Sequence, residues 1–314
     1  DHPDTLVSRS NLAGAYREAG DLGRAIPLLE QALTDAVRVL GEDHPDTLTT
    51  RNNLASAYHT AGDLDLAIPL FEQVLADRRR VLGDDHPDTL VSRSNLAGAY
   101  REAGDLGRAT LLYEQTLTDR RRVLGEDHPD TLTGRNNLAY AYQSAGDLGR
   151  AIPLYEQILA DRQRVLGADH PQALTSRNTL AYAYLAAGYL DRAIMLFEQT
   201  LADSLRVLGA EHPQTLVSRN DLAGAYCAAG DLGRAIPLYE QTLADRQRVL
   251  GADHPRTLAT RNDLAVAHES AGYLSRAIPL YEQTLADFVR VLGADHRETK
   301  IVRGNLAAAR QHPQ

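Results

Sequence analysis

The sequence has no tryptophan, one methionine, three phenylalanines and a single cysteine, Cys227. One thiol can form neither an intrachain disulfide nor the cysteine set of a zinc knuckle, so packing must hold the fold, and a reducing cytoplasm is the compartment expected. No stretch approaches the roughly 20 apolar residues that cross a bilayer, and no basic-then-apolar leader opens the chain, so no membrane role is expected. Acidic residues outnumber basic ones by 42 to 33, giving a formal charge of −9. That balance argues against nucleic acid or an anionic lipid surface as the main partner. Also missing are a glycine-rich phosphate loop, a Gly-x-Ser-x-Gly elbow and an isolated Cys/His/acid set. No catalytic residue, metal or cofactor is therefore assigned, and the chain reads as a non-enzyme.

What is present is repetition, which is read before anything else because it sets the whole fold. His-Pro recurs at His2, His44, His86, His128, His170, His212 and His254, always 42 residues apart, and His296 keeps the phase before Arg297. Glycines fall every 21 residues from Gly20 to Gly293, each expected just past a helix end, where the left-handed conformation costs glycine no Cβ clash. Each unit is thus two helices. The first starts at a proline such as Pro45, with Asp43 or His44 as cap, and runs to about Ala61; the second follows Asp63 and runs to about Leu82. Leu54, Ala55 and Tyr58 share one stripe of the first helix, and Leu64, Ala67, Ile68, Phe71, Leu75 and Leu82 one stripe of the second. Pro69 and its copies Pro27, Pro153, Pro237 and Pro279 should bend the second helix, while Leu111 and Met195 replace it and predict a local difference in curvature.

The run Asn53-Leu54-Ala55 with Tyr58, Gly62, Ala67 and Phe71 resembles the tetratricopeptide signature. Arg80-Val81-Leu82-Gly83 with Asp85-His86-Pro87 resembles its 42-residue variant in kinesin light chains and actinobacterial repeat proteins. The resemblance spans the chain and implies an all-α, right-handed solenoid of seven helix pairs: repeats 2–43, 44–85, 86–127, 128–169, 170–211, 212–253 and 254–295, then a capping helix at 296–312. In the last helix Lys300 and Arg310 stand where earlier copies have Leu258 and Tyr226, as a terminal cap requires, whereas Leu6 and Tyr16 in the first repeat stay apolar. The single domain is accordingly expected to be a fragment continuing upstream, and self-association through the uncapped first repeat is the second function considered. A lone lysine among 33 basic residues matches the usage of GC-rich bacterial genomes.

Positions constant among the repeats are read as scaffold. Arg9, Arg51, Arg93, Arg135, Arg177, Arg219, Arg261 and Arg303 are expected to pair with the constant carboxylates Glu72 and Asp77 and their copies. The tyrosines at Tyr16, Tyr58, Tyr100, Tyr142, Tyr184 and Tyr226 fall on the packing stripe and are read as core. The histidines are spread one per repeat, which suits helix starts and not zinc. Arg78-Arg79-Arg80 and Arg120-Arg121-Arg122 are read as solvated helix faces.

The resemblance implies that first helices line a concave groove that holds a protein or peptide. There Asn11, Asn53, Asn95 and Asn137 occupy the position that grips a peptide backbone in related proteins, and asparagine can both donate and accept. The series changes to Thr179, Asp221 and Asp263. One turn on, Gly14, Ser56 and Gly98 give way to Tyr140 and Tyr182, then Gly224 and Val266. A ligand carrying an apolar residue with Arg or Lys nearby is expected. The equal alternative is that these side chains only satisfy neighbouring helices. The chaperone-type carboxylate clamp is not expected, since Asn52 and Ser56 match neither of its halves. By resemblance, such arrays serve as the sensor or interaction arm of larger bacterial regulatory proteins, often behind a signalling ATPase.

Overall fold

The computed structural model describes the backbone of residues 3–311 and the side chains of 8–311 except residue 10. Among the described residues there are fifteen α-helices and no strand, an all-α repeat solenoid. They form two compact units, 1–154 and 155–314. The first unit contains α1 (Pro3–Glu18), α2 (Leu22–Leu40), α3 (Pro45–Ala61), α4 (Leu64–Leu82), α5 (Pro87–Glu102), α6 (Leu106–Leu124) and α7 (Pro129–Ser144). Helix α8 (Leu148–Leu166) begins in it and ends in the second. The second continues with α9 (Pro171–Ala186), α10 (Leu190–Leu208), α11 (Pro213–Ala228), α12 (Leu232–Leu250), α13 (Pro255–Ser270), α14 (Leu274–Leu292) and α15 (Arg297–Gln311).

The local code sets these limits. His44, His86, His128, His170, His212 and His254 are the caps of first helices, each in extended backbone, with Nδ1 accepting from the backbone N–H two residues on at 3.1–3.2 Å. The cap is therefore the histidine and not the preceding acid. On second helices Asp21, Asp105, Asp147 and Asp231 accept from the N–H three residues on, but Asp63 makes no side-chain cap bond. The five second helices that carry a proline, α2, α4, α8, α12 and α14, run unbroken through it, and it sits near the N-terminal end and is exposed.

The two glycine classes differ. Gly62 has φ +84° and ψ 4°, left-handed helical, whereas Gly83 has φ +89° and ψ 164°, a region essentially reserved for glycine. Gly62→Ala should cost about 1 kcal/mol and Gly83→Ala about 2–3 kcal/mol, read from urea midpoints. Equal costs would contradict this assignment.

Within a repeat the first helix packs on its second, as α3 on α4 and α11 on α12, and between repeats that second helix packs on the next first helix, as α4 on α5 and α12 on α13. Between repeats 2 and 3 the core is Ala55, Ala67, Phe71, Leu75, Leu96, Ala99, Tyr100 and Ala109. Small residues let the helices close while Phe71, 1% exposed, fills the seam.

Polar side chains stitch the same seams. The arginine ladder is present: Arg9, Arg51, Arg93, Arg177, Arg219 and Arg261 each donate Nη1 to the aspartate 26 residues on, at 2.5–2.7 Å. Arg303, in the last helix, is exposed and donates instead to the Ala294 carbonyl at 3.2 Å. The constant glutamates serve the next repeat and not the arginines: Glu30, Glu72, Glu114, Glu156 and Glu198 accept the hydroxyls of Tyr58, Tyr100, Tyr142, Tyr184 and Tyr226. Guanidiniums of Arg108, Arg150 and Arg234 lie 4.1–4.4 Å from the tyrosine ring centroids of their own repeats. The tyrosines are core by ring and polar link by hydroxyl. Burial together with the Glu114 carboxylate pushes the Tyr142 phenol up to about 12, so it stays a donor.

The ladder predicts acid sensitivity. Asp35 is held below the usual carboxylate range by hydrogen bonds from Arg9 and Arg38. At Asp119, Asp203, Asp245 and Asp287 burial opposes ionisation, but the hydrogen bonds and charges of two arginines outweigh it. A depressed native value adds stability that is complete above the unfolded value of about 3.9 and is lost as pH falls through the lower native one. The urea midpoint should hold steady from pH 7 to about 5 and fall steeply below about pH 4.

One reading is corrected. Arg78 and Arg120 are not on a solvated face: they are 3% and 5% exposed. Arg78 donates to the Asp88 carbonyl, Ser92 and Thr49 at 2.9–3.1 Å, and Arg120 to the Asp130 carbonyl at 3.0 Å. Only the two arginines that follow each of them reach the surface, where Arg80 pairs with Asp43 and Arg122 with Asp85. The helix angle explains it, since three consecutive residues spread over about 200° and one must face inward.

Candidate protein-binding face

Neighbouring first helices touch directly in both units, as α3 with α5, α5 with α7, α11 with α13, and α13 with α15. Part-buried polar bonds cross three of these junctions: Asn95 to Asn52 between α5 and α3, Asn220 to Asp263 between α11 and α13, and Asn305 to Asn262 between α15 and α13.

In the first unit Asn11 is exposed and Asn53, Asn95 and Asn137 are half-buried. Asn95 donates Nδ2 to Asn52 Oδ1 at 3.2 Å across α3 and α5, which leaves its own amide oxygen available. Tyr140 is 49% exposed, and the Arg101 guanidinium lies 4.7 Å from its ring centroid. This pairs an apolar surface with a cation that the sequence reading did not assign to the face. In the same unit Leu111, the proline replacement, is exposed and lines a cleft of about 330 Å³ with Leu75, Leu96 and Leu112.

In the second unit Thr179 bonds back to the Thr175 carbonyl at 3.0 Å, an intrahelical bond that keeps its hydroxyl from a neighbour. Tyr182 is 42% exposed yet fixed at both ends. Its ring meets Phe197 edge-on with centroids 5.2 Å apart, and its hydroxyl donates to Asp221 Oδ1 at 2.6 Å. Asp221 also accepts from Asn178 Nδ2 at 2.8 Å, and Asp263 from Asn220 Nδ2 at 3.2 Å. Both carboxylates are half-buried, and burial pushes each above the usual carboxylate range despite these bonds and the nearby Arg246 charge. The acidic stretch expected here is thus a pair of recessed, hydrogen-bonded carboxylates.

Asn95, Tyr182, Asp221 and Asp263 thus tie neighbouring helices together, whereas Thr179 bonds only within its own helix. Phe197, Arg101, Arg246 and Tyr239 were not singled out from the sequence. Tyr239 gave no signal along the sequence, because Tyr113, Tyr155 and Tyr281 hold the same repeat position. Leu6 and the face it was expected to offer for self-association lie outside the described side chains. No group of three or more metal-ligating side chains converges among the described residues, and no described helix is long and apolar enough to cross a membrane.

Helix pairs of this length, packed in register and closed by a left-handed glycine, define a tetratricopeptide array. The family model for the tetratricopeptide repeat matches residues 4–80, 61–122, 112–163, 130–204, 190–247 and 218–288, and the chain belongs to that family. It is similar to a putative kinesin light chain from Podospora anserina with nearly identical repeats: 35% identity over 66% of this chain and 98% of that one, TM-score 0.62. BtubC, the BKLC protein of P. vanneervenii, is 24% identical over 74% of this chain and 94% of its own, TM-score 0.61. A signal-transduction ATPase of Pyrococcus horikoshii with a tetratricopeptide repeat sensor shares the fold at 16% identity over 95% of this chain and 44% of its own, TM-score 0.69. Curated protein sequences return no match. Repeats of this family generally mediate protein–protein interaction.

Proposed function

We propose that the seven repeats and the closing helix at 296–312 form one binding module, whose first-helix face holds an extended segment of another protein, without catalysis. The observation that carries this reading is Tyr182: a 42%-exposed aromatic ring, locked by Phe197 and Asp221. An anchor whose orientation is fixed before contact loses little entropy when a partner covers it. Tyr140 under Arg101 supplies a comparable anchor in the first unit. Asn53, Asn95, Asn137 and Asn11 offer donors and acceptors to a peptide backbone, and Asp221 and Asp263 favour a basic residue beside the apolar one.

The same reading makes the chain the sensor or interaction arm of a larger bacterial regulatory protein working in the cytoplasm, the part that repeats play in the Pyrococcus ATPase. The test is selection of random peptides by display against the purified chain. Selected peptides should pair an apolar residue with Arg or Lys, and Tyr182→Ala should weaken them by at least about tenfold, or ~1.4 kcal/mol. Failure of any peptide to compete for this face, or equal binding by wild type and Tyr182→Ala, would overturn the assignment.

A further inference from the structure

The junction of α11, α12 and α13 in the second unit combines three residues that no other repeat holds together. Position 221 is aspartate where earlier first helices carry asparagine or threonine, position 224 is glycine, and position 239 on the second helix is tyrosine. The Tyr239 ring is 5% exposed, and its hydroxyl has no hydrogen-bond partner among the described residues. That hydroxyl approaches α11 at Gly224 so closely that a Cβ there would stand 3.3 Å from it. Gly224 lies three residues after Asp221, on the same side of α11. A nearly buried phenol, unsatisfied at its tip, thus ends beside a recessed carboxylate.

The charge around it is unbalanced. Most described aspartates in this chain have an arginine, lysine or histidine within 4.0 Å, but Asp221 and Asp263 have none. Their bonds come from neutral donors, Asn178 and Tyr182 to Asp221 and Asn220 to Asp263. Arg246 is the one cation nearby, and its Nη1 and Nη2 groups donate to Asn220 Oδ1, Thr260 Oγ1 and the carbonyls of Arg256 and Leu216, none of them a carboxylate. Two carboxylates against one guanidinium leave a net negative recess, and Glu298 adds to it near Asp263. The Cys227 thiol, neutral and pushed up by burial and by Asp263, does not offset it.

We propose that this recess is a cation subsite, in which Asp221, Asp263 and the Tyr239 hydroxyl accept the head group of a lysine or arginine side chain while Tyr182 covers its alkyl stem. It rests on the first-helix face being a peptide-binding face and adds the pocket that selects the basic residue. An alkyl cation supplies what the recess lacks: positive charge for the carboxylates and a donor for the phenol oxygen. The first unit holds an internal control. Tyr113 and Gly98 make the same 3.3 Å approach, but Asn95 stands there in place of aspartate, so that notch lacks the charge.

The probes are n-butylammonium, n-butylguanidinium and neutral n-butanol, titrated into the isotope-labelled chain while the side-chain amides of Asn178 and Asn220 are followed by NMR. Both cations should give saturable shifts with millimolar dissociation constants and butanol none; the tighter cation identifies lysine or arginine. Asp221→Asn or Asp263→Asn should weaken binding about tenfold, Tyr239→Phe severalfold with the ring packing kept, and Tyr113→Phe not at all. Linear, unsaturated shifts, or equal loss in Tyr113→Phe and Tyr239→Phe, overturn the subsite. If display then yields peptides whose binding ignores their basic residues, the peptide-binding reading stands and the subsite falls. Saturable cation binding with no selectable peptide means the reverse: the recess takes a cation, and the peptide-binding reading falls.

Discussion

Arg93→Ala is expected to destabilise the first unit by about 3 kcal/mol, whereas Arg80→Ala, exposed at the end of α4, should leave the urea midpoint nearly unchanged. Arg93 is 3% exposed, and its guanidinium lies 2.5 Å from Asp119 and 3.4 Å from Asp84. Truncation leaves a cavity the size of a long side chain and a partly buried carboxylate without its closest partner. The figure sits at the low end for breaking a buried pair because Arg122 still reaches Asp119 at 3.1 Å. Double truncation, Arg93→Ala with Asp119→Ala, should recover part of the loss, since the stranded charge is gone. Urea unfolding of these variants measures this. Costs that simply add would show that the pair is not coupled.

Phe197→Ala should cost about 3–5 kcal/mol and also disable the proposed face. Phe197 is fully buried in α10 and supports Tyr182 edge-on at 5.2 Å. With the ring removed, Tyr182 keeps only its bond to Asp221 and can swing away, so peptide affinity should fall even where the variant is still folded. Phe197→Leu separates the two effects: it refills most of the volume, so stability should largely return, while the aromatic contact that orients Tyr182 does not. Full recovery of binding in Phe197→Leu would mean that filled volume alone is enough to hold Tyr182.

The fold was legible because the sequence states the same local rules seven times. Histidine before proline marks a first-helix start, glycine marks each end, and the stripe of Ala67, Phe71 and Leu75 marks the buried side; all three appear where the spacing put them. The Arg–Asp ladder could be read for the same reason, since constancy at Arg51 and Asp77 within identical repeats has little other cause than a shared contact. What escaped the sequence depended on angles between helices. Nothing in the order of Arg78, Arg79 and Arg80 says which turns inward until α3 and α5 are placed beside α4. Likewise the glutamates, assigned to the arginines by constancy, reach tyrosines 28 residues on, because the seam between repeats brings Glu72 to Tyr100. At the candidate site, position 182 was visible as a break in the pattern. Its locking by Phe197 and Asp221, and the meeting of Tyr239 with Gly224, join different helices and could not be seen along any one of them.

Hydrogen–deuterium exchange of the chain with and without a display-selected peptide tests the central claim most directly. Binding along the first-helix face should slow exchange in α9, α11 and α13 of the second unit, and in α5 and α7 of the first, with little change on α10, α12 and α14. Protection confined to the second helices, or unchanged exchange around Tyr182 at saturating peptide, would contradict it.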